Sequence, residues 1–242
     1  MKSNNKKYFV LIILAIVLIS ALILGIKNAA TKKAVVKNVG PYVSDAKPES
    51  YSVTKVPVIN SDDKIFGAKN AKLNIFVYED YANILSANLA DTLERLKQEN
   101  GDISFIVRPY FETRNILSKE TALAVSCAGD KWLEMRALLF AQVKNNQLNI
   151  NNFSANAKQI GLNEEEFNNC LTNPEKSRTI EKSLEEAKAY SVAGSPTMFV
   201  GDELIIGARP YDNYVDSNSD KIEGLKQMIV RKMGKIKLII GK

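Results

Sequence analysis

Cys127 and Cys170 are the only cysteines in 242 residues, and the chain has no histidine. The missing imidazole excludes Ser-His-Asp and Cys-His catalysis, histidine-ligated metals and the usual pH switch near neutrality. In an oxidising compartment the two thiols have three readings: a structural bridge, two buried free thiols, or a redox-active pair. The bridge is preferred, because no Cys-x-x-Cys spacing is present to lower a thiol pKa. The two are 43 residues apart, and closing a loop of that length stabilises a fold by about 4 kcal/mol in the chain-entropy account.

Other residues could bind rather than react. Ser195-Pro196-Thr197 places an X–Pro bond in a short turn, where a cis geometry costs little. Asn83 stands just before a helical run, and its side chain suits an N-cap accepting from the amide of Leu85 or Ser86. Ser86 then lies in the first helical turn, where free N–H groups and the dipole favour an anion. Glu79-Asp80 could be an acid–base pair, but no nucleophile accompanies it, and solvated strand-end charges are the expectation. Asp212, Asp216, Asn218, Asp220 and Glu223 form an acidic run. Lys221 and Gln227 stand where a calcium loop needs glycine and a bidentate acid, so no metal site is expected. Trp132, Leu138, Leu139 and Phe140 have helical spacing and read as core. No cofactor is implied.

The elements that must position these residues follow from periodicity. The spacing predicts a buried strand over 73–78 and a helix over 82–98, with Leu85, Leu89, Leu93 and Leu96 on one face. A second strand covers 103–108 and ends at Pro109. A helical block runs over 119–190. Strands at 197–200 and 203–206 flank Gly201-Asp202, a hairpin signal. Helices are expected over 211–215 and 222–233, and the tail 236–240 reads as an added edge strand. Residues 34–60 are polar and punctuated by Pro41, Pro48 and Pro57, and read as a linker.

Composition, 45% hydrophobic and 25% charged, is that of a globular protein. The formal net charge is +6, but Lys2, Lys6, Lys7, Lys27, Lys32 and Lys33 supply six positive charges ahead of residue 34. The remainder carries 27 basic and 27 acidic residues. That balance gives no long-range attraction to nucleic acid. Residues 8–26 are 19 uncharged residues, enough to span about 30 Å as a helix. The competing reading, a cleaved signal peptide, has a shorter apolar core of about 7–15 residues and a small-residue cleavage site. An uncleaved anchor is preferred. The flanking lysines are nearly balanced, and the short N-terminal tail favours a cytoplasmic N-terminus with the large domain outside.

In order along the chain, several segments resemble the DsbA-like branch of the thioredoxin fold. Gly67-Ala68-Lys69-Asn70-Ala71 resembles the turn into the first core strand. Gly101-Asp102 to Pro109 resembles the second strand. Cys127, Trp132 and Leu139-Phe140 resemble the central helices of an insertion. Val192-Ala193-Gly194-Ser195-Pro196-Thr197 resembles the loop carrying a cis-proline, and Gly207-Ala208-Arg209-Pro210-Tyr211 the turn into the last helix. The resemblance implies an α/β fold, a thioredoxin-like core sheet with an inserted helical subdomain at about 112–190. One N-terminal transmembrane helix within 1–33, a linker over 34–60 and a domain over 61–242 complete the expected organisation.

It also implies a Cys-x-x-Cys pair at the first strand-to-helix junction. Here those four places hold Asn83-Ile84-Leu85-Ser86, so the family's catalytic residues do not carry over. Dithiol exchange needs a thiolate, which neither an amide nor a hydroxyl replaces. In the fold, the residue before the proline turns its main chain toward a groove, so Ser195, Pro196 and Thr197 could pair with an extended or unfolded extracytoplasmic polypeptide as an added strand does. The expected protein is a redox-inactive, single-pass membrane protein that binds polypeptide. The alternatives are a thiol–disulfide oxidoreductase using Cys127 and Cys170, a Ser86-dependent thiol-ligand enzyme similar to kappa-class glutathione transferases, or a structural subunit of an envelope complex.

Overall fold

The computed structural model describes residues 49–216 and 218–240. The apolar run at 8–26 lies outside them, and no helix among the described residues is long and apolar enough to cross a membrane. The chain order is β1 (Glu49–Ser52), β2 (Lys64–Gly67), β3 (Leu73–Glu79), α1 (Ile84–Glu99) and β4 (Ile103–Pro109). Five helices follow: α2 (Ile116–Cys127), α3 (Trp132–Lys144), α4 (Phe153–Gln159), α5 (Glu164–Leu171) and α6 (Pro174–Ala189). The chain then returns through β5 (Thr197–Val200), β6 (Glu203–Ile206), β7 (Tyr214–Val215), β8 (Lys221–Ile222) and α7 (Leu225–Ile240).

Six strands form one sheet in the order β1-β6-β5-β3-β4-β2. Only β3 and β4 are parallel, joined by the crossover through α1. Their side chains are buried at almost every position, as expected of central strands covered on both faces. Leu89, Leu93 and Leu96 of α1 seal one face, each at most 1% exposed, and Leu225, Met228 and Ile229 of α7 join the same core. On the other face the pairing aligns Tyr51, Leu204, Phe199, Phe76, Ile106 and Ile65 in a row across all six strands. Gly67 makes the turn toward β3 possible: its φ is +109°, and a Cβ there would stand 2.7 Å from the Ile103 carbonyl oxygen.

The stretch read as a linker contributes to the domain. β1 pairs with β6 at one edge of the sheet, and β2 pairs with β4 at the other. Residues 53–63 must therefore cross the second face between them. They do so with separate anchors rather than a ladder. The Val53 amide donates to the Asp202 carbonyl at 2.8 Å, Lys55 reaches the Ala189 carbonyl and the Tyr190 ring, and Arg108 donates to the Val58 carbonyl at 2.7 Å. A segment held this way has no period of 2 or 3.6, which is why it reads as a linker.

Two further expectations change. The short helix expected over 211–215 is a bend leading into the β7–β8 hairpin, whose turn is closed by the Asn218 and Asp220 amides donating to the Asp216 carboxylate at 3.0 and 2.8 Å. The tail read as an edge strand is the end of α7. Leu225, Met228, Ile229, Met233 and Ile236 recur with helical spacing, and that period carries the helix through 236–240. Within the insertion, Cys127 at the end of α2 and Cys170 in α5 form a disulfide with a Cα–Cα distance of 5.7 Å. Trp132, Leu139 and Phe140 are core, as their spacing predicts, whereas Leu138 lies off that face and is only half-buried.

Candidate functional site at the strand-to-helix junction

The junction between β3 and α1 is built from polar side chains turned inward. Asn83 has extended backbone angles and caps α1, its side chain accepting from the amides of Leu85 at 2.7 Å and Ser86 at 3.3 Å. Ser86 is fully buried, and its hydroxyl accepts from the Asp80 amide at 3.3 Å. A ligand thiolate would have no access to that hydroxyl as it stands.

Glu79 and Asp80 are the clearest departure from the sequence reading. Both are buried, Glu79 completely and Asp80 to 2% exposure, so neither is a solvated strand-end charge. Glu79 is paired with Arg136 of α3 through two bonds of 2.7 and 2.6 Å. Asp80 accepts from the Ala82 amide at 2.9 Å and from the Ser118 hydroxyl of α2 at 2.6 Å. Burial pushes the Asp80 carboxyl above its ordinary pKa, against the hydrogen bonds from Ser118 and the Ala82 amide that favour its charged form. The two carboxylates thus tie the junction to the insertion. Arg136 and Ser118 escaped sequence reasoning. Arg136 had a usable signal: it sits four residues after Trp132 and four before Phe140, on a helical face otherwise apolar.

The Ser195–Pro196 peptide bond is cis, and the register of β5 brings this loop beside the junction. Thr197 pairs with Tyr78 in the last rung between β5 and β3, so Pro196 and Ser195 follow directly beyond that rung. There the ladder stops, because the Asp80 amide is spent on Ser86 and its carbonyl on the Asn83 amide at 3.0 Å. Among the described residues, no hydrogen bond uses the main-chain N–H or C=O of Ser195, which is half-buried. Pro196 and Thr197 are buried, and the Thr197 hydroxyl donates to the Gly194 carbonyl at 2.8 Å. Thr197 therefore shapes the loop from within.

The structure brings Asn83, Ser86, Ser195, Pro196 and Thr197 to one end of the sheet. The Cys127–Cys170 bridge belongs to the helical insertion instead. Among the described residues no group of acidic or sulfur ligands could hold a metal ion. At this end of the sheet the main-chain N–H and C=O of Ser195 are open to hydrogen bonding.

A family profile described as Thioredoxin matches residues 59–217. No curated protein sequence matches the chain significantly. Among solved structures, a periplasmic thioredoxin-like protein from Salmonella enterica serovar Typhimurium is similar at 23% identity and a TM-score of 0.58, over 72% of this chain and 91% of that one. The catalytic domain of Proteus mirabilis ScsC aligns at 18% identity and a TM-score of 0.57, over 72% and 91% of the two chains. The thiol-disulfide exchange protein alpha-DsbA2 from Wolbachia pipientis aligns at 19% identity and a TM-score of 0.55, over 62% and 81%.

Proposed function

We propose, on the premise that this chain belongs to the thioredoxin family in its DsbA-like form, that it is a membrane-anchored extracytoplasmic module that binds extended polypeptides without exchanging disulfides. The observation that carries the proposal is the open main chain of Ser195. Its N–H and C=O lie beyond the last rung between β3 and β5, and Asp80, the residue just past the end of β3, has turned its own amide to Ser86. A client segment can complete the pairing there as a short added strand, with its side chains free to vary. The absence of a Cys-x-x-Cys pair removes covalent capture, and main-chain pairing at Ser195 does not require it. The Cys127–Cys170 bridge fits an oxidising compartment, as does the periplasmic origin of the Salmonella relative. The 19 uncharged residues at 8–26 supply the anchor.

The test is a titration of the full-length protein in detergent with an unfolded peptide and with the same peptide N-methylated at alternate amides. Main-chain pairing predicts binding of the first and at least a severalfold loss with the second, each hydrogen bond being worth about 0.5–1.5 kcal/mol. Equal binding of both peptides, or of neither, rejects the proposal. Recovery of one stoichiometric envelope partner with no peptide affinity selects the structural-subunit alternative. Dithiol oxidation lost in Cys127→Ser would select the oxidoreductase.

A further inference from the structure

The segment that straps the second face of the sheet ends in a pinned turn. Arg108 is buried. It donates to the Asp63 carboxylate at 2.7 and 2.9 Å, to the Val58 carbonyl at 2.7 Å and to the Tyr78 hydroxyl at 3.2 Å. The Asn60 amide donates to the Asp63 carboxylate at 2.8 Å, and the Asp63 amide to the Asn60 carbonyl at 3.3 Å. One buried guanidinium thus fixes both ends of the turn. What the turn holds out is apolar. Pro57 is buried, while Val58 is 69% exposed and Ile59 46%. Ile65, opposite Ile106 in the β2–β4 register and so two residues short of the Arg108 anchor, is 45% exposed.

Tyr51 and Val56 are exposed on the approach to the turn. Five of the nine large hydrophobic side chains exposed among the described residues therefore fall within 51–65. Apolar side chains scattered singly over a surface are ordinary, whereas a cluster marks a protein or membrane contact. We infer that this face docks on the lipid bilayer that carries the anchor, with Val58, Ile59 and Ile65 entering the headgroup boundary. The inference rests on the anchor proposed above and not on Ser195. Residues 27–48 are all that separates the apolar run from β1. About 22 residues of flexible chain average about 25 Å end to end, less than the roughly 40 Å width of a domain of this size. The bilayer is thus the partner at highest effective concentration beside the face that the chain joins first. Lys55 and Lys64 stand against Asp62 and Asp63 within 51–65, so no net charge repels the face from headgroups, and burial of apolar surface supplies the attraction.

The test places a fluorescent probe on full-length protein reconstituted into phosphatidylcholine nanodiscs that contain nitroxide-bearing lipid. Ser61→Cys puts the probe on the exposed turn, and Gln98→Cys puts it on α1, which seals the opposite face; the two native cysteines are bonded to each other. The probe at 61 should be quenched at least about twofold more than the probe at 98, as apolar insertion at the headgroup level requires. Quenching at 61 should persist in about 0.5 M salt, which screens charge and leaves apolar burial intact. It should be lost when Val58→Ser and Ile59→Ser are added, two changes at exposed positions. Equal quenching at 61 and 98, its loss in salt, or its survival in the serine variant would overturn the docking while the anchor stands. A signal that tracks the number of copies per disc would overturn it in favour of a second copy on this face. Failure of the protein to enter the discs would overturn the anchor, and the docking with it.

Discussion

The junction and the helical insertion divide what a thiol-exchange fold usually joins. At the junction, where the sulfur pair would stand, the structure has an N-cap, a buried serine and two buried carboxylates. In the insertion, both cysteines of the chain are locked in one bridge. Sulfur has become architecture in one region, and polar side chains have become architecture in the other. The comparison teaches that the position of the junction does not depend on its cysteines. Glu79 to Arg136 and Asp80 to Ser118 hold it against the insertion directly.

The largest way to break that balance is Arg136→Ala. It strands the Glu79 carboxylate in the core, where loss of one partner of a buried pair costs about 3–5 kcal/mol. Denaturant unfolding should show that loss, and a change under about 1 kcal/mol would mean that water or another cation takes Arg136's place. Next comes the bridge. Cys127→Ser with Cys170→Ser opens a loop of 43 residues and should cost about 2–4 kcal/mol, with peptide affinity kept. A parallel loss of affinity would show that the insertion's bridge supports the groove after all. Asn83→Ala removes the cap of α1 and should cost about 1 kcal/mol, again measured by denaturant midpoint.

The smallest effect is on pH dependence and has opposite signs in two places. Burial raises the Asp80 pKa in the folded state, so the folded state binds that proton more tightly than the unfolded chain does. Its contribution favours folding at acid pH and is lost as pH rises from the ordinary carboxylate value through the raised one. Glu203 is the reverse. Its hydrogen bond from Arg231, with help from Lys232, holds it at about 2, so its stabilisation is present above the ordinary glutamate value and disappears as pH falls toward 2. Asp80→Asn should steepen the acid-side loss of stability, and Glu203→Gln should flatten it. Indistinguishable profiles for the two variants would refute the assignment.

Much of the core was legible in the chain. Leu73, Ile75 and Val77 announced β3, the leucines of α1 announced its buried face, and Gly201-Asp202 announced the β5–β6 hairpin. The N-cap at Asn83 and the family segments were equally readable, because each depends on local chemistry. The rest depended on contacts distant in sequence. Nothing beside Glu79 reveals that Arg136, 57 residues later, neutralises it. Residues 53–63 carry no period because they strap the sheet by single bonds. The open main chain of Ser195 follows from where the Asp80 amide points, which sequence does not encode locally.

The central claim, that the groove grips a client through main-chain amides after the sulfur is gone, is tested most directly at Ser195. Ser195→Pro removes the N–H at a half-buried position. Peptide affinity of the full-length variant should fall by about tenfold, the worth of a hydrogen bond and the register it sets, with the unfolding midpoint retained. Undiminished affinity in a folded Ser195→Pro protein would contradict the account.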